Sequence, residues 1–148
     1  MINSLEIFKI IKQNIFCKKS FLGVFPSDRC PEEITSFPSS FILNADKSGE
    51  DGSHWMVVYI PNAKTFEFFD SFGRPPPLFL KPLMENFIHK QWNKVKMQND
   101  QDISCGPFVI FFLISRCRGL SFASIIDFLR HKTLWKDSFV KLYTANLA

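Results

Sequence analysis

Apolar residues recur at three- and four-residue spacing through Leu5, Phe8, Ile11 and Ile15, behind Asn3 or Ser4 as N-cap. That spacing predicts an amphipathic helix over residues 4–15. Cys17 to Ser39 is broken by Gly23, Pro26, Pro31 and Pro38 and reads as a loop, and residues 40–45 then read as a short strand. A polar turn, Asp46 to Gly52, precedes the apolar run His54 to Ile60, and a second turn, Pro61 to Lys64, leads into the Phe-rich run Thr65 to Asp70. Two strands joined by a short turn predict an antiparallel hairpin, which sets His54, at the start of one, beside Asp70, at the end of the other.

Ser71 to Pro77, with Gly73 and three consecutive prolines, predicts an irregular connection. Leu78 to Trp92 reads as a helix burying Leu83 and Phe87, with Ile88 and Trp92 as further inward candidates. Lys94 to Met97 reads as a third strand, followed by a polar loop from Gln98 to Ser104. Cys105 to Cys117 is almost wholly apolar, as expected of a helix buried on most sides. Pro is accepted in the first helical turn and not in the interior, so Pro107 pins Cys105 at or next to the helix start. Gly119 is placed to close this helix, and another runs from Ser121 to near His131.

At 148 residues the chain is expected to be one domain, residues 1–148, with 46% hydrophobic residues and 18 Phe favouring a bulky aromatic core. No run of about 18 apolar residues exists, so no membrane span is expected. Met1 to Phe16 carries Glu6, Lys9 and Lys12 among its apolar positions and does not read as a signal peptide. An intracellular setting, in the nucleus or a virion, is expected. Cys17, Cys30, Cys105 and Cys117 form no C-x-x-C pair, which argues for reduced thiols and against a zinc site. No metal or cofactor is expected to be needed for the chemistry, and a monomer is expected. The net charge of +4 permits a polyanionic partner.

The candidate chemistry lies at element ends. A thiol at a helix N-terminus faces the positive end of the helix dipole and unpaired backbone N–H groups, both of which favour the thiolate. His54 would hold Cys105 as thiolate and then protonate a leaving amine, while Asp70 would fix the imidazole tautomer. The Cys105 backbone N–H and the side-chain amide of Gln98 are the candidate oxyanion donors, with Gln101 as the competing amide. His89 reads as a solvated helix residue, His131 as a cationic cap, and Cys17, Cys30 and Cys117 as structural thiols.

At these residues the chain resembles the adenovirus endoprotease (adenain) family of cysteine peptidases, itself related in fold to SUMO-deconjugating proteases. The likeness runs through Phe21-Leu22-Gly23-Val24-Phe25, Gly52-Ser53-His54-Trp55-Met56, Phe69-Asp70-Ser71-Phe72-Gly73, and Gln98 followed after six residues by Cys105-Gly106. The resemblance implies an α+β fold: a papain-like core in altered chain order, with a small mixed or antiparallel sheet against helices that include the one led by Cys105. It also implies His54, Asp70, Gln98 and Cys105 as catalytic residues, cleavage after small residues such as Gly, and maturation of capsid or core precursors. Adenoviruses use DNA and a viral peptide as activators, and the family also occurs in transposons of the Maverick or Polinton type.

Departures refine these expectations. Asp70 stands where the adenovirus enzymes have Glu, and the segment between the helix expected over residues 78–92 and Gln98 contains no Cys to anchor a disulfide-linked peptide activator. Asp102 stands where the family often has Ser. Lys9, Lys12, Lys18 and Lys19 form one basic group, and Arg116, Arg118, Arg130, Lys132 and Lys136 another, which keeps DNA open as activator and partner. Two alternatives stand beside the endopeptidase: a SUMO-type deconjugase with the same catalytic residues, and a non-catalytic DNA- or capsid-binding protein on the same fold.

Overall fold

The computed structural model of the chain describes residues 1–49, 54–99, 103–131 and 135–147. Its elements, in chain order, are α1 (Ser4–Gln13), β1 (Phe21–Phe25), β2 (Ser39–Asn44), β3 (Trp55–Asn62), β4 (Thr65–Phe69), α2 (Lys81–Met84), β5 (His89–Trp92), α3 (Cys105–Cys117), α4 (Phe122–His131) and α5 (Lys136–Ala145). The strands form one sheet in the order β1-β2-β3-β4-β5. The outer pairs β1/β2 and β4/β5 are parallel and the inner pairs antiparallel, so the α+β class and mixed sheet are as expected.

Successive strand residues face opposite sides of a sheet. Here Ile42, Trp55, Val57, Tyr59 and Phe69 join one core with α1, α3, α4 and α5, whereas Phe41, Leu43, Met56, Val58, Ile60, Phe66 and Phe68 join a second with Leu80, Leu83 and Phe87. Both faces are covered, which is why β2 and most of β3 are buried without alternation. Helix α3 is buried from Cys105 through Ser115 and forms the centre of the helical layer.

Four expectations need correction. Residues 21–25 are a strand and not loop; Gly23, at φ +143°, sits where the β1/β2 register shifts, so the residue that masks the pattern is the one that accommodates the irregularity. The helix expected over residues 78–92 is a short 3-10 turn plus the single turn of α2, and residues 89–92 instead pair with the free edge of β4 as β5. Leu83 and Phe87 are buried as expected, but Ile88 is 74% exposed. Lys94 to Met97 is not a strand: Lys94 has φ +55°, a left-handed conformation that ends the extended run.

On α1 the inward stripe is Ile7 and Ile11, while Leu5, Phe8 and Ile15 are exposed; Asn3 does cap the helix, in a capping box with Glu6. The C-terminal helix α5 was not anticipated. Residues 50–53, including Gly52 and Ser53, together with Gln101, Asp102 and Lys132, lie outside the described residues.

Candidate active site

Cys105 is the first residue of α3, with Pro107 in the first turn, as the sequence predicts. Burial opposes charge on the thiol, but hydrogen bonds from His54 and from the backbone N–H groups of Trp55 and Gly106 outweigh it and hold the Cys105 pKa below its ordinary value. The Gly106 donor belongs to the unpaired N–H groups of the helix start.

The β3/β4 register pairs Val57 with Phe69, which brings the residues just outside the hairpin, His54 and Asp70, side by side. His54 Nε2 lies 2.7 Å from Asp70 Oδ1, and the hydrogen bond to the Cys105 thiol therefore falls to the other ring nitrogen. Burial disfavours the imidazolium, yet the bonds to Asp70 and Cys105 push the His54 pKa up to about 9. Both shifts favour the same arrangement, a thiolate–imidazolium pair backed by a carboxylate. The Phe72 ring lies 5.0 Å from the imidazole and covers it.

Gln98 is brought in by the residue after Asp70. The Ser71 hydroxyl donates to Gln98 Oε1 at 2.6 Å, and the Ser71 carbonyl accepts from the Met97 and Gln98 backbone N–H groups at 2.7 and 2.9 Å. Thus Asp70 orients the imidazole and Ser71 orients the amide: one dipeptide serves two partners. The turn that makes this possible needs Gly73. At φ +73°, it approaches the 95–96 backbone so closely that an added Cβ would lie 2.7 Å from the Val95 carbonyl carbon. Asn93 fixes the Asp70 backbone from both sides, its Oδ1 accepting from Asp70 N at 3.1 Å and its Nδ2 donating to Asp70 O at 2.7 Å.

Ser71 and Asn93 are the contributors that sequence reasoning missed. Ser71 stands beside the candidate acid and reads only as a turn residue, and Asn93 falls in the one-residue gap between the helix expected over 78–92 and the strand expected over 94–97. His89 starts β5 and is exposed, while His131 ends α4, its Nδ1 2.7 Å from the Asp127 carbonyl oxygen. Neither approaches the site. Of the second basic group, Arg116 is committed to a two-pronged ion pair with Glu67 at 2.8 and 3.1 Å. Lys9, Lys12, Lys18 and Lys19 are exposed.

Beside the site, a cavity of about 550 Å³ runs from Trp55 between residues 1–4 and the turn at residues 44–49. The Trp55 indole donates to the Ile2 carbonyl at 3.2 Å, and the Ile2 side chain lies over Gly106, leaving no space for a Cβ there: it would lie 2.1 Å from Ile2 Cγ2.

No protein-family model matches the chain. A protein of Acanthamoeba polyphaga mimivirus, named as a thiol protease, is 26% identical over 142 residues, covering 78% of this chain and 46% of that protein. The SUMO-1 cysteine protease of African swine fever virus is 26% identical over 99 residues, covering 58% of this chain and 36% of that one. The chain spans less than half the length of these relatives. A crystal structure of the African swine fever virus protease superposes with a TM-score of 0.64 at 14% identity, over 85% of this chain and 61% of that one. The central domain of an uncharacterised Legionella pneumophila protein superposes with a TM-score of 0.52 at 14% identity, over 99% and 94%. The fold is that of the papain-like cysteine proteases. In sequence, the chain is similar to the two viral proteins.

Proposed function

We propose that the protein is a cysteine endopeptidase that cleaves polypeptides after small residues such as Gly. The observation that carries this reading is the hydrogen-bonded series Cys105–His54–Asp70, with the thiol pKa lowered and the imidazole pushed up to about 9. The Cys105 thiolate attacks the scissile carbonyl carbon, and the oxyanion is held by the Cys105 backbone N–H and the Gln98 amide. His54 gives its proton to the leaving amine. Water, deprotonated by the now neutral His54, then hydrolyses the thioester and returns the thiolate. These steps need no metal or cofactor.

Preference for small residues is supported by the crowding at the nucleophile: Cys105 is 3% exposed, Trp55 flanks it and Ile2 covers Gly106. A substrate residue without a bulky side chain fits such an approach. The substrate we favour is a viral or transposon capsid or core precursor, processed inside the cell or in the virion, with DNA as an activator through the Lys9, Lys12, Lys18 and Lys19 face. A second reading, SUMO-type deconjugation, is favoured by the name of the African swine fever virus relative.

The test incubates wild type and Cys105→Ser with a Gly-containing precursor, with SUMO conjugates and with ubiquitin conjugates, each with and without DNA at two salt concentrations. Cysteine-dependent cleavage of the precursor alone supports the first reading, and cleavage of SUMO conjugates alone the second. DNA stimulation that fades steeply with salt marks an electrostatic activator. If no substrate is cut and Cys105 is alkylated no faster than Cys30, the peptidase reading fails and a binding protein on this fold remains.

A further inference from the structure

Both proposed oxyanion donors belong to the connection between β5 and α3. The Gln98 side chain stands before the loop, and the Cys105 backbone N–H stands just after it. Their separation is useful only if both ends of the loop are fixed, because a donor displaced by an ångström loses much of its hold on developing charge. Ser71 fixes the Gln98 side chain from the sheet side.

The other side is held by Asp137, in the first turn of α5. Its carboxylate accepts from the Asn99 backbone N–H at 3.3 and 3.2 Å, and also from the Ser104 hydroxyl. Asn99 adjoins Gln98 and Ser104 adjoins Cys105, so one side chain touches both ends. We propose that Asp137 is a positioning residue for the oxyanion site, setting the separation of its two donors through Asn99 and Ser104.

Three further features agree with this role. A carboxylate offers about four acceptor directions on two oxygens, enough for both ends at once, whereas an amide offers one acceptor oxygen. Helix α5 packs on α3, with Val140 in the shared core, so the clamp moves with the helix that carries the nucleophile. Ser104 occupies the N-cap of α3, where a serine side chain normally accepts from the first N–H groups, yet it makes no such bond. Bound to Asp137, Ser104 leaves those N–H groups to the thiolate and the oxyanion.

This inference rests on the cysteine peptidase reading, and the experiment separates the two. Asp137→Ala, Asp137→Asn, Asp137→Glu and Ser104→Ala are compared with wild type in three assays. These are peptide cleavage, inhibition by a peptide aldehyde ending in glycinal, and alkylation of Cys105 by iodoacetamide. The aldehyde reports on the oxyanion site because the thiolate adds to its carbon, forming a C–S bond and an oxyanion that is then protonated. Alkylation by displacement of iodide generates no such charge.

For Asp137→Ala, kcat should fall about tenfold to a hundredfold with KM within about twofold, and aldehyde inhibition should weaken by a similar factor. Cys105 alkylation should stay within about twofold. Asp137→Glu should recover part of the loss and Asp137→Asn less. If Asp137→Ala does not fold, Ser104→Ala carries the same test with a loss of a few-fold. Unchanged kcat and aldehyde inhibition in the variants, beside an active wild type, overturn the inference alone, as does a parallel loss of alkylation, which marks a merely structural role. A wild type that neither cleaves peptides nor takes the aldehyde overturns the peptidase reading and the inference with it.

Discussion

The two ends of α3 each carry a thiol whose pKa is lowered, and only one end carries the proposed catalytic site. At the N-terminal end, Cys105 meets an imidazole, two backbone N–H groups and the positive end of the helix dipole. At the C-terminal end, Cys117 is favoured as thiolate chiefly by a hydrogen bond from Cys17, then by Ser20, 3.6 Å away, and by Arg116, while the dipole there opposes negative charge. Cys17 is pushed up in turn by the same contact. A lowered thiol pKa is therefore not a sufficient mark of a nucleophile. What distinguishes Cys105 is an imidazole hydrogen-bonded to a carboxylate and a neighbouring loop that begins at the fixed Gln98 amide, the proposed acid and oxyanion donor.

The widest gap between the ends should be in turnover. Cys105→Ala should lower peptide cleavage by at least about a thousandfold, and Cys117→Ala should leave it within about twofold. A larger loss from Cys117→Ala would abolish the distinction. The C-terminal end should instead matter for stability. Arg116 joins α3 to the sheet through Glu67, whose side chain is 3% exposed, and its guanidinium lies over the Tyr59 ring. Removing one partner of a buried pair leaves the other uncompensated, so Arg116→Ala should cost roughly 3 kcal/mol in denaturant unfolding. In the fraction that remains folded, the Cys105 alkylation rate should not change. A third effect is smaller and belongs to the catalytic end: Ser71→Ala frees the Gln98 carbonyl and should lower kcat by about tenfold with KM nearly constant, less than Gln98→Ala itself. If Gln101→Ala exceeds Gln98→Ala in its effect, the amide has been misassigned.

This division explains what the sequence could and could not reveal. His54, Asp70 and Cys105 were legible because each stands at the end of an element with its own signal: two apolar runs flanking a short turn, and a proline that permits only one helix start. Asp137 gave no signal. It heads a weakly patterned helix, and it reaches the site only because the chain folds α5 against α3. β5 is hidden by the apolar spacing of Leu83 and Phe87, which suits a helix, while the open edge of β4 recruits residues 89–92; Asn93, just beyond, carries no local signal for its bonds to Asp70. Local pattern reports local structure, and the supports of an active site come mostly from contacts distant in sequence.

The finest test compares the two thiols by pH. His54 has its pKa raised in the fold to about 9, so the stabilisation it brings is complete below its ordinary value of 6.5 and is lost as pH rises through about 9. Cys105 has its pKa lowered, so its contribution is complete above its ordinary 9.0 and is lost as pH falls through the lowered value. The ion pair therefore exists between the lowered thiol pKa and about 9. Iodoacetamide labelling of Cys105 should rise through the first limit, level off, and step again by a few-fold near pH 9 as His54 loses its proton; kcat/KM should fall over that upper step, because the leaving amine loses its acid. Cys117 has no imidazole beside it and should show a single rise below 9.0, with Cys30, whose pKa burial pushes up to about 11, slower and Cys17 slowest. His54→Ala should reduce the Cys105 profile to one step and move it upward. A wild-type Cys105 profile with one ordinary step near 9.0 would mean that the pair does not form, and the two ends of α3 would then differ in position but not in chemistry.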